Sequence, residues 1–281
     1  MRKTGTESAA YFGLGGEKDG FKKMKSHGFD CVDYQGFVNT ETELFTVSDS
    51  AFESRLKEIY KGAEAEGIEI YQTHGPWRYP PRDATPEDRA ERMEKMKKSI
   101  WGTSLLHSKY MVIHPIMPFG PNAEPDSKAF REMNYKFYSE LLVTAKQYGV
   151  TLCLENMPFP AHSIARPKEI LDFVKELNSE YMAVCLDTGH SNVLGISPAD
   201  ALRELGNSIK TLHVHDNDGK GDQHAAPFYG SIDWEDFRSE LKNIDESVVL
   251  SIEAKASDKL PAELYDSYQT TMAKTAKYLS M

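Results

Sequence analysis

Cysteine is scarce in this chain. The 281 residues contain three, Cys31, Cys153 and Cys185, each set inside an apolar run (FDCVDY, VTLCLE, MAVCLD). So small and odd a number excludes a disulfide scaffold and leaves buried, reduced thiols as the expectation. Basic residues are outnumbered, 33 Lys plus Arg against 43 Asp plus Glu, for a formal net charge of −10. Affinity for duplex phosphates needs clustered Lys and Arg, so nucleic acid is not the expected partner. No window approaches the ~18 apolar residues of a membrane span. The opening MRKTGTESAAYFGLGG has too short and too Gly-rich an apolar stretch for a secretory signal, so the cytoplasm is the expected compartment. Pro/Ser-rich linkers, charge blocks and low-complexity tracts are missing as well, and residues 1–281 read as one domain. With 40% apolar and 27% charged residues the composition is globular, and the length suits an α/β barrel of about 250 residues.

What is present is alternation. Short β-rich runs alternate with helical patterns at about 35 residues per unit, which fits eight units. The strand candidates are AAYFGLG from Ala9, FDCVDYQGF from Phe29, IEIYQTHG from Ile68, YMVIHPI from Tyr110, VTLCLEN from Val150, MAVCLDTGH from Met182, IKTLHVHDN from Ile209 and VVLSIEAK from Val248. Most are near-continuous apolar runs, as parallel strands covered on both faces require. Between Asp126 and Gly149, Phe130, Met133, Phe137, Leu141 and Ala145 fall at steps of three and four, the stripe of an amphipathic helix. Thr85-Pro86-Glu87-Asp88 and Ser197-Pro198-Ala199-Asp200 each read as a capping box with proline at the first helical position. Gly28, Gly67, Gly149 and Gly206 stand where helices should stop. Alternating βα units make an α/β protein, a single-domain (β/α)8 TIM barrel first and a doubly wound sheet second. The GLGGEKDG stretch from Gly13 to Gly20 lacks the G-x-G-x-x-G spacing that a dinucleotide-binding sheet would want, which favours the barrel.

Histidines and acids fall at the ends of the strands. Of nine His, six (His74, His114, His190, His213, His215, His224) lie at C-terminal strand ends or in the loops after them, as do Glu155, Asp187, Asp216 and Glu253. A barrel gathers those ends at one mouth. Imidazole and carboxylate together suit Zn, Mn, Co or Fe rather than a calcium cage, and convergent carboxylates need a cation to offset their repulsion. An acid that ends a buried strand, as Glu155 and Glu253 do, costs several kcal/mol unless it is paired or metal-bound. His27, His107 and His162 lack this placement and are expected at helix termini or the surface. His215 is expected to face away from the axis, leaving His213 as the ligand.

These residues resemble the xylose isomerase-like barrels, which include ketose 3-epimerases and the endonuclease IV class of abasic-site nucleases. Glu155 in LENMP, Asp187 in LDTGH, His213 in LHVHDN and Glu253 in SIEAK are similar to the Glu, Asp, His, Glu metal quartet of the sugar isomerases and epimerases. The resemblance makes His190 a substrate- or metal-contacting histidine. It makes His74, His114, His190, Asp222 and His224 additional ligands of a three-metal site, so one to three divalent ions (Mn, Zn, Co or Mg) are implied. Ala161 and Gly219 stand where the epimerases carry a glutamate and an arginine, so their manner of holding a free ketose does not carry over. Members of the family are often dimers or tetramers, and a homo-oligomer accords with that, although the sequence marks no interface.

Three functions follow as expectations. The first is a metal-dependent isomerase or epimerase acting on a carbohydrate or sugar phosphate, with Glu155 and Glu253 moving a proton next to a carbonyl and His190 stabilising the oxyanion. Trp77, Phe119, Phe159 and Trp234 are the candidate apolar wall, and Lys255 and Lys220 the candidate partners of a substrate anion. The second is a two- or three-metal phosphoester hydrolase. The third, a non-catalytic sugar-binding barrel, fits least, because general-base carboxylates stand beside the ligands.

Overall fold

The computed structural model describes residues 1–12 and 16–281. Eight strands, β1 (Thr4–Glu7), β2 (Cys31–Tyr34), β3 (Glu69–His74), β4 (Tyr110–Ile113), β5 (Thr151–Glu155), β6 (Met182–Asp187), β7 (Ile209–His213) and β8 (Leu250–Ile252), lie in the order β7-β6-β5-β4-β3-β2-β1-β8. The seven pairings in that order are all parallel. Val214 closes the ring: its N–H donates to the Ser251 carbonyl at 2.9 Å and its carbonyl accepts from the Glu253 N–H at 3.0 Å. With helices between successive strands this is a (β/α)8 TIM barrel.

Inside the barrel Val112, Cys153, Ala183 and Cys185 form a small apolar plug with Tyr110 against it. The main core lies between strands and helices, where Leu152, Leu154, Val184 and Leu186 meet the helical stripes. The three cysteines are free and buried, and burial pushes the Cys153 thiol up to about 12. Among the described residues no helix is long and apolar enough to cross a membrane.

The expected helix after Asp126 runs Ser127–Tyr148; Asp126 accepts from the Lys128 and Ala129 N–H groups at 2.9 and 3.0 Å, and Gly149 ends it at φ 67°. The capping box at Thr85 forms, with Asp88 N–H donating to Thr85 Oγ1 at 3.1 Å and Thr85 N–H to Asp88 Oδ2 at 3.3 Å. The one at Ser197 does not: Ser197 caps nothing with its side chain, and Asp200 instead accepts from Arg203 at 2.6 Å.

The first strand is misplaced by the sequence reading. Ala9–Phe12 is a helical turn, and β1 is the preceding Thr4–Glu7. Gly13, Leu14 and Gly15, the end of the expected strand and the start of the GLGGEKDG stretch, lie outside the described residues.

Candidate metal centre

Every strand of the barrel delivers an ionisable side chain to the C-terminal mouth. Glu7, His74, Glu155, Asp187 and His213 are the last residues of β1, β3, β5, β6 and β7; Asp33 is the last but one of β2; His114 and Glu253 directly follow β4 and β8. All but Glu253 are buried. A parallel barrel points all eight ends one way, so side chains up to 246 positions apart meet there.

Glu155 is the hub. His114 Nε2 lies 2.8 Å from its Oε2 and His213 Nδ1 3.2 Å from its Oε1, with His190 Nδ1 at 3.5 Å and His74 Nε2 at 3.7 Å. His213 Nδ1 also lies 3.1 Å from Glu253 Oε2, while its Nε2 is 2.8 Å from Asp33 Oδ2. Asp187 begins a short helix, Thr188–Val193, and accepts the His190 N–H at 2.6 Å; its Oδ2 lies 3.0 Å from His215 Nε2. Asp222 reaches His190 at 3.3 Å and His224 at 3.2 Å.

The electrostatics follow from burial set against these neighbours. Burial opposes charge on Glu155, but His213 and His114 hold its carboxyl well below the usual range. Burial likewise opposes charge on His213, and Glu253, Cys185 and Glu155 carry it well above its ordinary value. His190 is raised to about 10, against burial, by Asp187 and Asp222, and His224 to about 9, against burial, chiefly by its bond to Asp222. His114, in which burial dominates, falls to about 4. Burial and then Glu253 push Glu7 up to about 7.

The donor set fits a divalent cation. Glu155, Asp187, His213 and Glu253 each offer one atom, and the four atoms lie within 4.8 Å of one another. A buried ring nitrogen facing oxygens of two carboxylates, one buried and one half-buried, needs a proton or a metal ion between them, and mixed imidazole and carboxylate donors suit Zn, Mn or Co. Three more groups meet the same distance limit: His74 with His114 and Glu155, His190 with His215, Asp222 and His224, and Glu155 with Cys185 and His213.

His215 overturns an expectation. Side chains two positions apart on an extended strand share a face, and His215 is buried on the same side as His213, beside Asp187, its ring stacked 4.1 Å from that of His224. Asp33 and Glu7 were missed altogether. Asp216 is buried but ties loops together, accepting from Gly230 N–H at 3.0 Å and Trp234 Nε1 at 2.8 Å.

A cavity of about 670 Å³ opens over this floor, lined by Trp77, Tyr79, Phe159 and Lys255 among others. Two expected wall residues are elsewhere. Phe119 packs toward Phe130, 6.3 Å between ring centres, and Trp234 is buried at a helix start with its indole N–H on Asp216; neither is among the residues lining the cavity. Lys220 is exposed and off the lining too. His27 ends a helix and His107 is exposed, but His162, expected there as well, is buried between the rings of Phe130 and Phe159.

A family model described as xylose isomerase-like TIM barrel matches residues 21–275. The chain belongs to that family. It is 29% identical to an uncharacterized protein of Methanocaldococcus jannaschii over 83% of this chain and 78% of that one. It is 23% identical to the D-psicose 3-epimerase of Enterocloster bolteae over 81% of this chain and 75% of that one. Among solved structures, the IOLI protein with a bound zinc atom superposes with a TM-score of 0.76 at 18% identity, covering 99% of this chain and 97% of that one.

Proposed function

We propose that this protein is a divalent-metal-dependent isomerase or epimerase that moves a proton next to the carbonyl of a sugar or sugar phosphate. The observation that carries the reading is the convergence of Glu155, Asp187, His213 and Glu253, one donor atom each within 4.8 Å, on the floor of a cavity of about 670 Å³. Similarity to a D-psicose 3-epimerase and a zinc-bound barrel supports it.

Those four residues would hold the cation, which when bound would polarise the substrate carbonyl and the adjacent hydroxyl and so acidify the hydrogen on the carbon that bears that hydroxyl. Glu253, side chain 13% exposed, faces the cavity more openly than Glu155 at 2%. It takes the carbon-bound proton onto its carboxylate. Return of a proton to the same carbon from the opposite face inverts it, and return to the neighbouring carbon completes an aldose–ketose exchange; Glu155, across the mouth, is the second acid and base. His190, held as imidazolium by Asp187 and Asp222, donates to the oxygen on which negative charge develops. Trp77 and Phe159 offer apolar faces to the ring and exclude water. Lys255, on the exposed rim, pairs with an anionic substituent where the substrate has one.

The test is solvent deuterium incorporation into a panel of ketoses and ketose phosphates with the metal-loaded protein. Exchange at the carbon beside the carbonyl, lost in Glu155→Gln and Glu253→Gln, is the expected result. No exchange with any sugar, or near-normal turnover in both variants, would refute the assignment.

A second reading, a three-metal phosphoester hydrolase, is favoured by two of the additional ligand groups, His74 with His114 and Glu155, and His190 with His215, Asp222 and His224. Elemental analysis separates the two. One ion per chain accords with proton transfer, and three ions together with cleavage of bis(p-nitrophenyl) phosphate accord with hydrolysis.

A further inference from the structure

We infer that Asp33 is a positioning residue for the metal centre, holding His213 in the tautomer that turns a bare Nδ1 toward the cation. The inference rests on reading the quartet as a divalent-metal site.

The β2–β3 register slips between Val32 and Asp33, so that Asp33 comes to stand opposite Gln72. Such irregularities re-aim a side chain. Here the carboxylate sits inside the mouth at 1% exposure. Its Oδ2 lies 2.8 Å from His213 Nε2 and accepts from Gln72 Nε2 at 2.9 Å.

A carboxylate can only accept, so the hydrogen of a neutral His213 belongs on Nε2, and Nδ1 keeps its lone pair. Nδ1 is the atom 3.2 Å from Glu155 and 3.1 Å from Glu253, where the cation would sit. Without Asp33 those two carboxylates draw the ring hydrogen onto Nδ1 and block the ligand atom. Asp33 therefore competes with the quartet's own acids for one hydrogen, and a carboxylate behind a ligating imidazole also raises its basicity. The His74 ring, stacked at 5.6 Å and 14° on that of His213, restrains rotation.

The experiment uses the whole protein and zinc alone, with affinity read by competition against a chromogenic chelator. The binding step that disappears in Glu253→Gln marks the quartet. In Asp33→Asn the amide can donate to Nε2 and impose the wrong tautomer, so that step should weaken by about 10- to 100-fold. Gln72→Met, which removes the bond steadying Asp33, should weaken the same step and serves where Asp33→Asn does not fold. Nitrogen-15 NMR of the zinc-loaded wild type should find the hydrogen on His213 Nε2. A merely structural Asp33 would lower the melting temperature and leave the zinc step alone. Affinity within twofold of wild type in both variants, or zinc on Nε2, overturns the inference while the metal reading stands. A wild type that takes up no zinc at that step overturns both.

Discussion

The loop that carries Trp77 and Tyr79 into the cavity is anchored by a buried ion network, and its removal has a calculable effect. Asp83, 1% exposed, accepts from Arg92 Nη1 at 2.7 Å and from Arg78 Nη1 at 3.3 Å. Arg92 is fully buried in the helix Pro86–Leu105, and its Nη2 donates to the Pro76 carbonyl at 2.8 Å. Arg78 has a second partner, Glu91 at 2.7 Å; Asp83 is the carboxylate within ion-pair range of Arg92 among the described residues. Asp83→Asn keeps the shape and removes the charge, leaving the Arg92 guanidinium buried and uncompensated. Breaking such a pair from one side costs about 3–5 kcal/mol. At roughly 2.1 cal/mol/K of unfolding entropy per residue, that lowers the melting temperature by about 5–8 °C for a chain this long. Arg92→Met leaves Asp83 its bond to Arg78, and the double variant carries no orphaned Arg92 charge, so the double should cost clearly less than the sum of the singles. Urea titrations of the four proteins give the coupling. A loss below about 1 kcal/mol in Asp83→Asn, or an additive double variant, would refute the argument.

Metal loading should stabilise the fold. Zinc at a hundred times its dissociation constant contributes about 2.7 kcal/mol, so a chelator should lower the melting temperature and a divalent ion restore it; indifference to every ion tested would count against the centre. Since His213, a member of the quartet, is held above its ordinary value by Glu253, Cys185 and Glu155 against burial, a proton must leave it before the cation is ligated. Zinc affinity should therefore rise with pH between 6 and 8 by about tenfold per unit for each proton displaced, and a flat profile would contradict this. A Cβ at Gly189 would stand 2.0 Å from His215 Cε1, so Gly189→Ala should cost about 1–3 kcal/mol in urea titration and displace His215. Thr85→Ala removes the side-chain half of a capping box, the Thr85 Oγ1 acceptor of the Asp88 N–H, and leaves the Thr85 N–H to Asp88 bond in place; it should cost about 0.5–2 kcal/mol by the same measurement, and no change would mean the helix start is held by other contacts.

How much of this was legible in sequence depends on whether local pattern and tertiary role coincide. Strands β2 to β8 announce themselves because burial on both faces demands apolar runs. β1 does not: TGTE has no apolar side chain, yet all four residues are buried, and a Cβ on Gly5 would come within 3.2 Å of the Cys31 carbonyl and of Val249. The neighbouring AAYF looks more like a strand and is a helical turn. Glu155 and Glu253 are conspicuous because an acid after an apolar strand is costly without a partner. Asp33 in CVDY and Glu7 in TGTE carry no such mark, since each needs a partner more than 170 positions away to become significant. The pairing of His213 with His215 was within reach, because a spacing of two on a strand means one face. Phe119 and Trp234 show the opposite limit: loop aromatics at the right end of a barrel are divided between cavity wall and loop packing by contacts that no spacing records.

The two ends of the barrel do different work. Below the mouth, Val112, Cys153, Ala183 and Cys185 fill the interior with apolar and thiol side chains. One layer up, the same strands end in Glu155, Asp187 and His213, groups that burial alone would neutralise and that stay charged only by facing one another. Without a cation a proton on His213 does the work that the ion would do between Glu155 and Glu253, so proton and metal compete for one position. Apolar packing can therefore keep the scaffold folded while the mouth exchanges its neutralising charge, and chemistry that shuttles protons fits a centre whose own stability is a matter of where protons sit.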